Sequence, residues 1–219
     1  MRPRPILALL LALVALPALA RGTIERVEIR GLEDQPALLN NVRLALSVND
    51  EIGKRQGESR LEFLLLNAER EARQALEPFG YYSPTITVDS PRDAGDRITV
   101  IVTVEPGEPV RVRESNVAIV GPGGEDQYLA RDLEAFRPRQ GDAFDHGTYE
   151  ASRDGISRRL AERGYFDADF MEREVRVTRA DLAADIDLVW DSGFRYDMGP
   201  TTFHQDFFRP GLLDKLVTW

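Results

Sequence analysis

His146 and His204 are the two histidines among 219 residues, and cysteine is absent. Thiolate nucleophiles, cysteine zinc sites and disulfide frameworks are thereby excluded. The histidines lie far apart, neither sits in a helix-spaced metal motif, and both are expected at solvated loop positions. Carboxylates come closer together. Asp167 with Asp169, and Asp185 with Asp187, have the spacing of an acid–base pair or a calcium site. In a strand, however, residues two apart share one face, so Asp185, Asp187 and Asp191 would form the wet side opposite Ile186, Leu188 and Trp190. Gly121-Pro122-Gly123-Gly124 lacks the lysine and hydroxyl that a phosphate loop needs, so it reads as a turn between strand and helix. No Gly-x-Ser-x-Gly elbow occurs. Arg158-Arg159 and Glu69-Arg70-Glu71 read as solvated helix faces. No catalytic residue, cofactor or metal is expected. The enzymatic alternative, an acidic hydrolase with a carboxylate pair, competes with a strand alternation that already accounts for those acids.

The elements that would carry these residues follow from periodicity. Val27 and Ile29 alternate with charged neighbours, as do Val110 and Val112, which predicts half-buried strands. Leu38, Val42 and Leu46, and later Leu129 and Leu133, fall at one-turn spacing and predict short helices. Ser59 followed by Glu62 has the form of a capping box, and Leu61, Leu65, Ala68, Ala72 and Leu76 then make one apolar stripe. A second long helix is expected from about Thr148 to Arg163, with Tyr149, Ile156 and Leu160 on one face. Both long helices run into glycine, Gly80 and Gly164, where a left-handed residue can close the last turn. The aromatic pairs that follow, Tyr81-Tyr82 and Tyr165-Phe166, would fold back under the helix. Alternation over Ile98, Val100, Val102 and Val104, and over Ala184, Ile186, Leu188 and Trp190, predicts the last strands.

The same landmarks occur twice in one order. Gly80-Tyr81-Tyr82 is answered by Gly164-Tyr165-Phe166, Val27-Glu28-Ile29-Arg30-Gly31 by Val117-Ala118-Ile119-Val120-Gly121, and the turn at Gly107 by that at Gly193. This is an internal repeat, and a third copy would open with a strand at Phe194-Arg195-Tyr196-Asp197-Met198. Each copy reads strand, helix, helix, strand, strand, an α+β unit with two helices on a three-stranded sheet. Residues 1–20 differ in kind: Arg2 and Arg4, an apolar run over 6–16, and Pro17-Ala18-Leu19-Ala20 form a secretory signal peptide. The expected division is signal 1–20, first repeat 21–108, second repeat 109–193, and an incomplete third repeat 194–219. The net charge is -9, with 37 acidic against 28 basic side chains. That leaves no broad positive field for nucleic acid or anionic lipid.

In these motifs the chain resembles the polypeptide-transport-associated (POTRA) repeats that precede an outer-membrane barrel, and more closely those of the TamA family. The likeness rests on Asn41-Val42-Arg43, Gly80-Tyr81-Tyr82-Ser83-Pro84-Thr85-Ile86, Val104-Glu105-Pro106-Gly107-Glu108-Pro109-Val110, Gly164-Tyr165-Phe166-Asp167 and Asp191-Ser192-Gly193-Phe194-Arg195-Tyr196. The resemblance implies a noncatalytic periplasmic role in outer-membrane protein assembly, notably of autotransporters, with a TamB-like inner-membrane-anchored partner. It also implies three repeats and a barrel of about 16 strands. No run of barrel-type strands is present here, so the chain is expected to be a fragment that meets the membrane only through a missing C-terminal barrel. The competing reading is a free-standing periplasmic binding or scaffold module.

The expected mechanism is strand addition, because an edge strand offers unpaired backbone groups to a client with little demand on its sequence. The strand after each glycine–aromatic corner is the candidate edge: Thr85, Thr87 and Asp89 in the first repeat, and Arg173, Arg176 and Thr178 in the second. Gly80, Gly107, Gly164 and Gly193 are the expected structural turns.

Overall fold

The computed structural model describes residues 21–205, 207–209 and 211–216. The signal peptide assigned to residues 1–20 and the tail 217–219 lie outside them. By contact the chain divides into one unit of Met1–Ala72 with Ile86–Val104, and a second of Arg73–Thr85 with Glu105–Trp219.

The first unit is built on strand β1 (Arg21–Arg30), helix α1 (Pro36–Ala45), strand β2 (Arg55–Gly57), helix α2 (Glu58–Leu76), and strands β3 (Thr85–Asp89) and β4 (Arg97–Glu105). Its strand order is β2-β1-β4-β3, with β1 parallel to β4 and antiparallel to β2. A parallel pair needs a long crossover, and the two helices supply it. β4 alternates between buried and partly exposed residues, and Ile98, Val100, Val102 and Val104 are the buried set, as the alternation predicts. On α1, Leu38 and Val42 are buried.

Three local expectations are corrected. The sheet has a fourth strand: β2 is only three residues long and pairs with Arg21, Gly22 and Thr23, too short for periodicity to reveal. Helix α2 already begins at Glu58, so Ser59 lies in its first turn and does not cap it. Leu64, not Leu65, is the fully buried leucine of the second turn, because the stripe of Leu61, Ala68, Ala72, Ala75 and Leu76 drifts with the 3.6-residue period.

The second unit contains β5 (Arg111–Val120), α3 (Gln127–Ala135), α4 (His146–Glu162), β6 (Asp169–Thr178) and β7 (Ala183–Asp191), with strand order β5-β7-β6. β5 runs parallel to β7, and β6 is antiparallel to it. One face of β7 buries Ala184, Ile186, Leu188 and Trp190. Against them pack Leu129 of α3, Tyr149, Ile156 and Leu160 of α4, and Phe136, Phe144 and Tyr165 from the connections. Among the described residues, no helix is long and apolar enough to cross a membrane. The fold is thus α+β, helices on small sheets.

The stretch Phe194–Met198 forms no strand, against expectation. Each of its backbone groups would need a neighbouring strand to pair with, and among the described residues Tyr196 alone finds a backbone partner there, donating its N–H to Gly164 O at 2.8 Å. The apolar residues near the end make a single 3-10 turn, Leu213–Leu216.

Candidate functional site

The two glycine–aromatic corners are built alike. Gly80 and Gly164 have φ of +86° and +89°, the left-handed region that glycine enters without a side-chain clash. At each, the following aromatic N–H returns to the helix: Tyr81 N to Leu76 O at 3.3 Å, Tyr165 N to Leu160 O at 2.9 Å. At each, the glycine carbonyl accepts from a later segment, Val110 N at 2.9 Å and Tyr196 N at 2.8 Å. A Cβ at Gly80 would lie 2.6 Å from Phe144 O, and one at Gly164 2.4 Å from Tyr196 O. These glycines therefore serve both as helix stops and as seats for another backbone. Gly107 and Gly193 also have positive φ, +73° and +60°.

The aromatic pairs differ in fate. Tyr165 is buried, as expected, but Phe166 is 68% exposed, its ring tilted against that of Tyr196 with centroids 5.9 Å apart. Tyr82 is half-buried. Its hydroxyl lies 2.6 Å from His146 Nε2, and Arg179 sits 5.5 Å over its ring. Burial is the main cause that pushes the Tyr82 hydroxyl above its ordinary pKa, with Glu77 adding to it. His146 is accordingly not the solvated loop residue expected. It opens α4, with its ring 4.9 Å from that of Phe144. His204 is exposed in an irregular stretch.

The acids resolve into structural roles. Asp185 and Asp187 lie on the outer face of β7. Arg113 on β5 holds Asp185 by two hydrogen bonds of 2.9 and 2.5 Å, and Asn116 donates to Asp187 at 2.6 Å. The Arg113 hydrogen bond holds the Asp185 carboxyl below its ordinary range. Asp167 accepts from the Tyr196 hydroxyl at 2.6 Å. No group of three or more metal-type ligands occurs among the described residues. Arg159 is more than a solvated charge: it reaches Asp132 on α3 at 3.0 Å and Glu162 at 2.9 Å. Glu71 likewise accepts from Ser47 N and Oγ at 2.9 and 3.0 Å.

Sequence reasoning missed two anchors. Ser192 is fully buried, accepts from Gly123 N at 2.9 Å and donates to Gly193 O at 3.1 Å. A Cβ on Gly123 would meet Ser192 Cβ at 2.6 Å, and one on Gly124 would meet Ile119 O at 2.6 Å, so both glycines are required by close approach to neighbouring chain. The other anchor is Asp126, the α3 N-cap, which accepts from Tyr128 N and from Arg163 Nε, both at 2.9 Å. Burial raises the Asp126 carboxyl, but the Tyr128 N–H and the Arg163 guanidinium outweigh it and leave it below its ordinary value. A carboxylate whose folded pKa is depressed stabilises fully above the unfolded pKa, and that contribution is lost as pH falls through the folded value. Asn keeps the cap but loses the charge that holds Arg163, so thermal unfolding of Asp126→Asn between pH 7 and pH 3 should show a deficit of about 1–2 kcal/mol at neutrality that shrinks toward acid. An undiminished deficit at pH 3 would contradict this.

The six edge candidates fall on two strands, each terminal in its sheet. Thr85, Thr87 and Asp89 are exposed on β3, beyond β4; Arg173, Arg176 and Thr178 are on β6, beyond β7. Among the described residues no further strand pairs with either.

Two family comparisons match this chain. Residues 26–106 match the POTRA domain described as TamA domain 1, and residues 112–193 match POTRA, described as a surface antigen variable number repeat. Together they cover about three quarters of the chain. Solved structures with a similar fold include POTRA3-5 of BamA from Haemophilus influenzae, at 20% identity and TM-score 0.40, covering 80% of this chain and 68% of that one. POTRA1-3 of the periplasmic domain of Omp85 from Anabaena matches at 18% identity and TM-score 0.38, covering 78% and 61%. The chain belongs to the POTRA-domain family, and its first domain is of the TamA type.

Proposed function

We propose that this chain is the periplasmic POTRA portion of an outer-membrane protein assembly and translocation factor, with autotransporters among its clients and a TamB-like, inner-membrane-anchored protein as partner. It acts through protein–protein contacts, including addition of a client strand to a sheet edge. The observation that carries the reading is the match of residues 26–106 to TamA domain 1 in a chain whose two sheets each end on an unpaired strand. Backbone pairing suits a factor with many clients, because main-chain donors and acceptors are common to all of them. The acidic balance of both repeats, 16 acids to 11 bases over 21–108 and 18 to 12 over 109–193, keeps them off anionic headgroups. Residues 1–20 would direct export.

Deleting the gene should lower the amount of folded autotransporter in the outer membrane while its synthesis continues. The full-length protein, probed in intact and permeabilised cells, should expose residues 21–193 to protease only once the outer membrane is opened. Unchanged autotransporter levels, or protection of these residues after permeabilisation, would overturn the reading.

A further inference from the structure

The two terminal strands are not equivalent as acceptors. An exposed edge is normally blunted by charge on the strand, by a bulge, or by a charged residue pointing toward the core side. β6 carries all three. Met171 is an extra residue opposite β7, since Phe170 pairs with Trp190 and Glu172 already with Val189. Arg173 lies opposite Leu188, Val175 opposite Ile186, and Val177 opposite Ala184, so Arg173 shares the helix-facing side with the valines. Its guanidinium stands 5.2 Å over the Phe170 ring, and its charge acts on Tyr149 and Asp154 of α4. Glu174 and Arg176 occupy the other side as an ion pair at 2.8 Å.

β3 carries no charged residue before Asp89, its last. Its sequence is Thr-Ile-Thr-Val-Asp, and its burial alternates without interruption, with Ile86 and Val88 on the covered side and Thr85, Thr87 and Asp89 exposed. Counting the repeat offset from Gly80 and Gly164, and allowing for the bulge, the place of Val88 is taken in β6 by Arg173. A strand laid beside β3 sets its own side chains next to Ile86 and Val88 on one face and next to Thr85 and Thr87 on the other. The same strand laid beside β6 must cover Arg173 and strip it of water, which is costly for a charge that has no salt-bridge partner among the described residues.

We propose that strand addition, if the function above holds, takes place on β3 and is blocked on β6, and that the occupant is an extended uncharged segment with apolar and small polar residues in alternation. That is the pattern of a barrel strand before insertion. This inference rests on the strand-addition reading and narrows it to one acceptor.

The test places a photoreactive residue at Thr87, at Arg176, or at Val117 on β5, in the full chain. Each protein is irradiated with a soluble peptide whose central segment alternates leucine and threonine. The Thr87 protein should give about ten-fold more adduct than either other position. Val88→Lys should abolish the Thr87 adduct, with circular dichroism checking the fold. Arg173→Val should raise the Arg176 adduct several-fold, an outcome independent of how Val88→Lys folds. Equal or greater adduct at Arg176 or Val117 would overturn the assignment to β3 and leave strand addition standing. No adduct at any position would overturn both.

Discussion

Replacing Trp190 with alanine is expected to lower the stability of the second unit by about 3–5 kcal/mol, the range for removing a large buried aromatic. Trp190 is 1% exposed, in the last buried position of β7. Its ring lies 5.3 Å from that of Phe170 on β6, and its indole N–H donates to Ser157 Oγ on α4 at 3.1 Å. One side chain thus ties the sheet to the longer helix, and truncation leaves both a cavity and an unpaired hydroxyl. A domain of this size holds about 5–15 kcal/mol in total, so the loss is a large share of its stability. Guanidinium titration followed by circular dichroism measures the loss, since the substitution removes a fluorescent probe. Trp190→Phe should recover more than half of it, because most of the volume returns without the Ser157 contact. A loss under about 1 kcal/mol for Trp190→Ala would mean that this core is not organised around the indole.

Gly80→Ala is expected to cost about 2–4 kcal/mol, for two separable reasons. The left-handed conformation costs a non-glycine residue about 1–2 kcal/mol, and Gly80 has φ +86°. The added Cβ would also stand 2.6 Å from Phe144 O, a backbone atom fixed by its neighbours, because Phe144 N donates to Val110 O at 2.8 Å and the Phe144 ring is buried. Gly141→Ala separates the terms. Gly141 has φ +88° and nothing within 4 Å of its would-be Cβ, so its substitution should carry the conformational cost alone. Equal losses at the two sites in matched denaturation experiments would remove the second reason, and with it the account of Gly80 as a seat for another backbone.

These substitutions divide what can be read locally from what cannot. Trp190 was legible as a core residue, because alternation with Asp185, Asp187 and Asp191 fixes its face whatever the neighbours are. The positive φ of Gly80 and Gly164 was legible because a helix stripe runs straight into them. The second duty of Gly80 was not, since Phe144 lies 64 residues away and no spacing rule links the two. His146 was misplaced for the same reason. Its partner, the Tyr82 hydroxyl, comes from a corner 64 residues earlier. The capping box at Ser59 failed because a strand of three residues, invisible to periodicity, delivers the chain directly into α2. The strand expected to open a third copy at Phe194–Met198 is absent because a repeated motif carries the joint but not the neighbour that a strand requires.

What the sequence determined alone depends on neighbours within a turn or two: the α+β class, the order strand, helix, helix, strand, strand of the second unit, the glycine corners, the covered faces of β4 and β7, and the acidity of both repeats. Burial imposes a period on the chain, and a period can be read without knowing what lies opposite. The tertiary structure decided which strands are terminal, which carboxylates are held by which arginines, and which side of β6 Arg173 occupies. Those are matters of pairing between segments far apart in sequence, and register, unlike periodicity, exists only once both strands are in place.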